Sequence, residues 1–101
     1  MQWQTNLPLI AILRGITPEE ALAHVGVVID AGFDAVEIPL NSPQWEKSIP
    51  TVAEAYGDKA LIGAGTVLNT ERVDQLARMG CRLIVTPNIQ PEVIRRAVSY
   101  G

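Results

Sequence analysis

The sequence predicts an α/β protein of four strand–helix units, about half of a (β/α)₈ barrel, in a single domain over residues 1–101. Short apolar runs alternate with helix-forming segments, and polar residues stand near the ends of the apolar runs. The run centres near residues 12, 37, 64 and 85 are 25, 27 and 21 residues apart. That spacing accommodates a strand, a helix of about three turns and two short loops. Such alternation predicts parallel strands joined by right-handed crossovers.

The first unit combines an apolar strand over residues 9–13 with a helix that ends at Gly32. Thr17 is a suitable N-cap for this helix, and Pro18 fits its first turn. Glu20 stands three residues after Thr17 and completes a capping-box pattern. The start of the helix is therefore well specified.

The second unit combines a strand over residues 35–40 with a helix over roughly residues 44–56. Apart from Glu37, the strand is continuously apolar, as expected of a parallel strand that is covered on both faces. Pro50 falls inside the helix and is expected to kink or split it, because proline lacks the backbone N–H.

The third strand covers residues 61–67, and Asn69 or Thr70 caps the helix that follows. The fourth strand covers residues 83–86 and leads into a last helix over roughly residues 91–99. No change of composition and no Gly/Ser-rich linker marks a second domain.

Two architectures fit these units: an open, doubly wound sheet and part of a barrel. The Gly-rich loop of dinucleotide-binding sheets is missing after the first strand, where Arg14-Gly15-Ile16-Thr17 stands. The barrel is favoured because its strands converge on one active site at their carboxyl ends. The polar residues near those ends are Arg14, Glu37, Thr66, and Thr86 or Asn88.

Glu37 is the most informative of these residues, because it is a charge inside an apolar strand. A buried carboxylate is costly unless it is paired, hydrogen-bonded or neutralised, and acids retained in such places often perform chemistry. Strand alternation places Glu37 with Ala35 and Pro39 on the barrel interior, and the bulkier residues between them against the helices. A carboxyl group there can have a raised pKa and transfer protons. The competing interpretation is a structural carboxylate whose hydrogen bonds are satisfied.

Arg14 and Thr66 are candidate substrate-binding residues. The guanidinium of Arg14 can hold a carboxylate or a phosphate with two hydrogen bonds, or it can pair with Glu37. Thr66 follows Gly63-Ala64-Gly65, where the two glycines allow either a ligand or a packed neighbour to approach the backbone closely.

Composition excludes several classes of function. A net charge of −3 with scattered basic residues gives no reason to expect nucleic acid or an anionic membrane as partner. The single cysteine, Cys81, is interpreted as a buried packing residue, and no spacing indicates a metal site. Neither lysine, Lys47 or Lys59, stands at a strand end, so neither is expected to be an amine nucleophile. Without a signal-peptide pattern or a membrane-spanning run, a cytoplasmic location is predicted.

Four motifs, in order along the whole chain, resemble the 2-keto-3-deoxy-6-phosphogluconate/phosphogalactonate aldolases. They cover residues 12–16, 36–43, 62–68 and 86–88. The segment over residues 40–43 is most similar to the phosphogalactonate branch, because the phosphogluconate branch typically has an Arg-Thr pair where Asn41-Ser42 stands here.

The resemblance implies a trimeric class I aldolase with a (β/α)₈ fold. Such enzymes cleave a phosphorylated keto sugar acid into pyruvate and glyceraldehyde 3-phosphate through a lysine Schiff base, without a metal or an organic cofactor. Glu37 would be the general acid/base that moves protons through bound water. Arg14 and Thr66 would contact the substrate, with Thr66 near the pyruvate carboxylate.

The family places its Schiff-base lysine on the sixth strand and its phosphate-binding loops after the seventh and eighth. The chain is therefore expected to be the N-terminal half of a longer enzyme and to be inactive alone. A half-barrel exposes two strand edges and an apolar inner face, so self-association is also expected. Two alternatives stay open: a non-catalytic half-barrel that only assembles, and a phosphosugar isomerase or epimerase that uses Glu37 as a base.

Overall fold

The computed structural model describes Asn6 and residues 9–101. Within these residues, strands and helices alternate as the sequence predicts. In chain order they are β1 (Ala11–Ile12), α1 (Pro18–Asp30), β2 (Ala35–Pro39), α2 (Trp45–Tyr56), β3 (Leu61–Gly65), α3 (Thr70–Arg78), β4 (Leu83–Ile84) and α4 (Pro91–Ser99).

The strands form one parallel sheet in the order β1-β2-β3-β4. A doubly wound sheet reverses its strand order at a switch point, and no such reversal occurs among these four strands. Sequential, parallel neighbours are instead what consecutive strands of a (β/α)₈ barrel form. The barrel-type unit predicted from the sequence is therefore confirmed, and the doubly wound alternative does not fit.

The register of the sheet fixes the direction of Glu37. Ile12 pairs with Glu37, Glu37 with Gly63, and Gly63 with Leu83, so these four residues form one row across the sheet. Residues in register on adjacent strands point to the same face. Ile12 is 58% exposed, which shows that at β1 this face is uncovered.

The hydrophobic core lies between the other face of the sheet and the helices. Its fully or almost fully buried members are Val36, Ile38, Ile62 and Ala64 from the strands and Val25, Ile49, Val52, Val73, Leu76 and Val93 from the helices. Val36 and Ile38 belong to it, which confirms the predicted alternation along β2. Burial of a large aliphatic side chain contributes about 1.5–3 kcal/mol, so this core fixes the strands that carry the polar residues.

The helix starts follow the predicted capping residues. The backbone N–H of Thr17 donates to the Glu20 carboxylate at 3.2 Å, and the Thr17 hydroxyl donates to the same oxygen at 2.9 Å. At α3, the side-chain oxygen of Asn69 accepts the backbone N–H of Arg72 at 2.9 Å. Asn69, rather than Thr70, is therefore the cap of α3.

Two details differ from expectation. Helix α2 continues through Pro50 without being split, because buried Ile49 and Val52 on either side hold it to the core. Strands β1 and β4 have two residues each, fewer than the sequence predicts. Each of them pairs with only one neighbour in the described sheet, so fewer backbone hydrogen bonds define it. Within Asn6 and residues 9–101, no helix is long and apolar enough to cross a bilayer.

Candidate active site at the carboxyl ends of the strands

Glu37, in the middle of β2, is the centre of the candidate site. Its side chain is 4% exposed, and all five residues of β2 are buried. Burial raises the pKa of the Glu37 carboxyl above its ordinary value, while the positive charge of Arg14 opposes that rise. Among the described residues, Oε2 has no hydrogen-bond partner. A buried carboxyl whose pKa is raised holds its proton to higher pH than an ordinary glutamate, which suits it to proton transfer.

Gly65 provides the space that the Glu37 carboxylate occupies. A Cβ on Gly65 would overlap both carboxylate oxygens and would lie 2.5 Å from Cδ of Glu37. Glu37 is in register with Gly63, two residues earlier, so its side chain leans toward the carboxyl end of β3. Gly63 has a different role, because a Cβ there would lie 2.5 Å from Cβ of Leu83. Gly65 thus leaves room for the Glu37 carboxylate, and Gly63 allows β3 to pack closely against Leu83 of β4.

Thr66 directly follows Gly65 and has a strained backbone. Its φ of 57° lies in the left-handed region, which β-branched residues rarely adopt. Strained residues of this kind cluster at functional sites. Thr66 borders a groove of about 210 Å³ at the carboxyl edge of the sheet. The other lining residues are Leu40, Asn41, Trp45, Leu68, Asn69 and Arg72.

Arg14 lies in the turn after β1 and is exposed. The ion pair present among the described residues joins Arg96 and Asp74 on the surface, at 2.5 Å. The interpretation of Arg14 and Glu37 as a structural ion pair is therefore wrong for this structure. The guanidinium acts on Glu37 through its charge, and the two side chains form no salt bridge within the described residues.

Thr86 and Asn88 were the remaining strand-end candidates. The Thr86 hydroxyl donates to the Asn88 carbonyl at 2.7 Å and accepts the Asn88 N–H at 3.3 Å. These bonds close the turn between β4 and α4, so the Thr86 hydroxyl has a local structural role.

Ser42 is the residue of this region that sequence reasoning missed, since it stood out only as part of the 40–43 segment and not as a candidate site residue. It is buried, and its Oγ accepts the backbone N–H of Gly15 at 3.0 Å. The contact joins the loop after β1 to the loop after β2. Its sequence signal is weak: a small hydroxyl residue in the turn that follows the strand of the acid.

Other nucleophiles in the described part of the chain are remote or inactive. Lys47 lies on α2, and Nζ of Lys59 lies 6.0 Å from the centre of the Tyr56 ring, before β3. Cys81 is partly rather than fully buried, and burial raises the pKa of its thiol to about 11. The thiol is therefore protonated at neutral pH. Residues 9–101 and Asn6 contain no group of three side chains that could hold a metal ion.

The fold and this site define a class of protein: part of a (β/α)₈ barrel with a buried acid at the carboxyl ends of its strands. The chain belongs to the KDPG and KHG aldolase family, whose sequence profile matches residues 2–100. It is 84% identical, over all 101 residues, to the 2-dehydro-3-deoxy-6-phosphogalactonate aldolase of Escherichia coli K12, and it covers 49% of that protein.

Solved structures agree with this assignment. A native KDPGal structure, 84% identical, matches the whole chain with a TM-score of 0.98, and the match covers 49% of that structure's chain. The KDPG aldolase of Legionella pneumophila, with pyruvate captured as a covalent carbinolamine, is 25% identical. It matches with a TM-score of 0.80 over 88% of this chain and 43% of its own. The chain spans about half the length of the relatives it matches.

Proposed function

We propose that the protein containing this chain is a class I aldolase. Its substrate would be 2-dehydro-3-deoxy-6-phosphogalactonate, the compound for which the Escherichia coli relative is named. The products would be pyruvate and glyceraldehyde 3-phosphate. The observation that carries the proposal is Glu37, a buried carboxyl with a raised pKa and an unpartnered oxygen at the strand ends. In this proposal, residues 1–101 form the N-terminal half of one barrel domain.

The reaction requires two proton transfers that Glu37 can perform through water. Cleavage of the bond between C3 and C4 releases the aldehyde when the C4 hydroxyl gives up its proton to a base. The electron pair of that bond passes into the Schiff base and forms an enamine. Protonation of the enamine carbon then gives pyruvate still held as its Schiff base, and hydrolysis of that C=N bond by water releases pyruvate and the free lysine. A carboxyl group whose pKa is raised above its ordinary value can accept the first proton and donate the second.

Arg14 and Thr66 are proposed to bind the substrate. The Arg14 guanidinium is exposed and close enough to Glu37 to affect its pKa, which fits a cation that holds an anionic ligand beside the acid. Thr66 adjoins Gly65, against which the Glu37 carboxylate packs. The Thr66 hydroxyl can donate a hydrogen bond to a substrate carboxylate. A trimeric assembly and a cytoplasmic location stay predictions from the sequence and the family resemblance.

Pyruvate trapping tests the proposed reaction. The full-length protein, incubated with pyruvate and borohydride, is expected to gain a stable pyruvate adduct on a lysine outside residues 1–101, and to release pyruvate from the phosphogalactonate substrate. Peptide mass spectrometry locates the adduct, and a coupled dehydrogenase assay measures release. The 101-residue chain is the control and should gain no adduct. Interconversion of sugar phosphates without adduct or pyruvate would instead identify an isomerase or epimerase.

A second candidate function, a half-barrel that assembles without chemistry, is favoured by the uncovered inner face. Ile12, which lies on that face, is 58% exposed, and β1 and β4 each pair on one side in the described sheet. The 101-residue chain is therefore expected to associate, giving a light-scattering mass of at least two chains. A monomeric chain that unfolds cooperatively in denaturant would contradict this expectation.

A further inference from the structure

The loops after β1 and β2 are joined by a partly buried hydrogen bond. The backbone N–H of Gly15 donates to Oγ of Ser42 at 3.0 Å, across 27 positions of sequence. Ser42 is 4% exposed, and its own N–H donates to the Pro39 carbonyl at 3.0 Å. The hydroxyl is thus attached firmly to the end of β2, the strand that carries Glu37.

A second backbone hydrogen bond holds Leu13, the residue before Arg14. The N–H of Leu13 donates to the backbone carbonyl of Glu37 at 3.1 Å. The residues before and after Arg14 are therefore both hydrogen-bonded to the segment that includes Glu37 and Ser42. Since the Arg14 side chain is exposed, the position of its guanidinium depends on the backbone that these two bonds hold.

Gly15 supports this arrangement through its backbone conformation. Its φ is 81°, which L-residues rarely adopt, and a Cβ added to it would meet nothing within 4 Å. Glycine is therefore needed here for the turn and not for space. Gly15 has no side chain that could fix the turn against the next loop. The Ser42 hydroxyl supplies that contact by accepting the backbone N–H of Gly15.

We infer that Ser42 is a positioning residue, which holds the turn of Arg14 at a fixed place relative to Glu37 through its bond to Gly15. The inference rests on the proposed function, in which Arg14 binds the anionic substrate. Loss of the hydroxyl leaves the Gly15 N–H without its partner and loosens the turn. Substrate binding then weakens, while the acid that transfers protons stays in place on β2.

The test compares two buried serines in the full-length protein. Ser42→Ala is expected to raise KM about fivefold, the effect of one lost neutral hydrogen bond, with kcat changed less than twofold. Ser42→Thr retains a hydroxyl and should restore most of the affinity. Ser48→Ala is the matched control, because Ser48 is fully buried on α2 and its Oγ has no partner among the described residues. It should leave KM and kcat unchanged.

A second readout does not depend on activity. Amide hydrogen exchange at Gly15 and ¹⁵N relaxation at Arg14 should show faster exchange and larger motion in Ser42→Ala, and no change in Ser48→Ala. If the wild-type protein releases no pyruvate, the proposed function fails, yet these NMR data still decide whether Ser42 orders the turn. An ordered Arg14 in Ser42→Ala, or an unchanged KM in an active enzyme, would overturn the inference.

Discussion

Glu37→Gln is expected to lower kcat of the full-length protein by about 100-fold to 10,000-fold, the usual contribution of a positioned general acid/base. Glutamine has nearly the same shape as glutamate, so the packing around β2 and Gly65 is retained while proton transfer is lost. The proposed contacts of Arg14 and Thr66 with the substrate do not involve this carboxyl. KM is therefore expected to change much less than kcat, as measured by pyruvate release over a range of substrate concentrations that extends to saturation.

The same substitution should change the pH dependence of stability. Because burial raises the Glu37 pKa above 4.5, the folded protein favours the protonated carboxyl. Its stabilising contribution is complete below pH 4.5, the ordinary value, and is lost as pH rises through the folded-state pKa. Thermal unfolding of Glu37→Gln should lack this decline with pH. Glu54→Gln, at an exposed position of α2, should retain both the decline and the activity, whereas normal turnover by Glu37→Gln would refute the acid/base role.

The fold was largely predictable because its signals are local. The alternation of residues along β2, the cap at Thr17 and the spacing of apolar runs each lie within a few residues of the element that they specify. The anomaly of Glu37 was also local, since a charge in an apolar run is visible without a structure. Lengths of β1 and β4 were less predictable, because they depend on which strands lie beside them.

The arrangement of the site depends on contacts between distant segments, which periodicity does not reveal. The bond from Gly15 to Ser42 crosses 27 positions. The left-handed φ of Thr66 could not be read from its residue type, because β-branched residues rarely adopt it. The two glycines of β3 look equivalent in the sequence. Only the register, with Glu37 opposite Gly63 and its side chain leaning over Gly65, separates their roles.

Gly65→Ala is expected to lower kcat by about 100-fold, because an error near 1 Å in the position of a catalytic group has effects of that size. The added methyl group would occupy the place of the Glu37 carboxylate, so the acid must rotate away or the strands must separate. Overpacking of this kind also costs about 1–3 kcal/mol of stability. Pyruvate release and denaturant-induced unfolding of the full-length protein measure the two effects.

A double-mutant cycle tests whether the Glu37 carboxylate is the reason that Gly65→Ala lowers stability. The φ of Gly65 does not lie in the left-handed region, so its backbone conformation admits alanine and only the space is lacking. In a Glu37→Ala background the overlap disappears, and Gly65→Ala should then cost much less free energy of unfolding. Gly63→Ala is the control, because its Cβ meets Leu83 rather than Glu37, and its cost should be similar in both backgrounds. An equal cost of Gly65→Ala with and without the carboxylate would mean that β3 packing, and not the placement of the acid, requires glycine at this position.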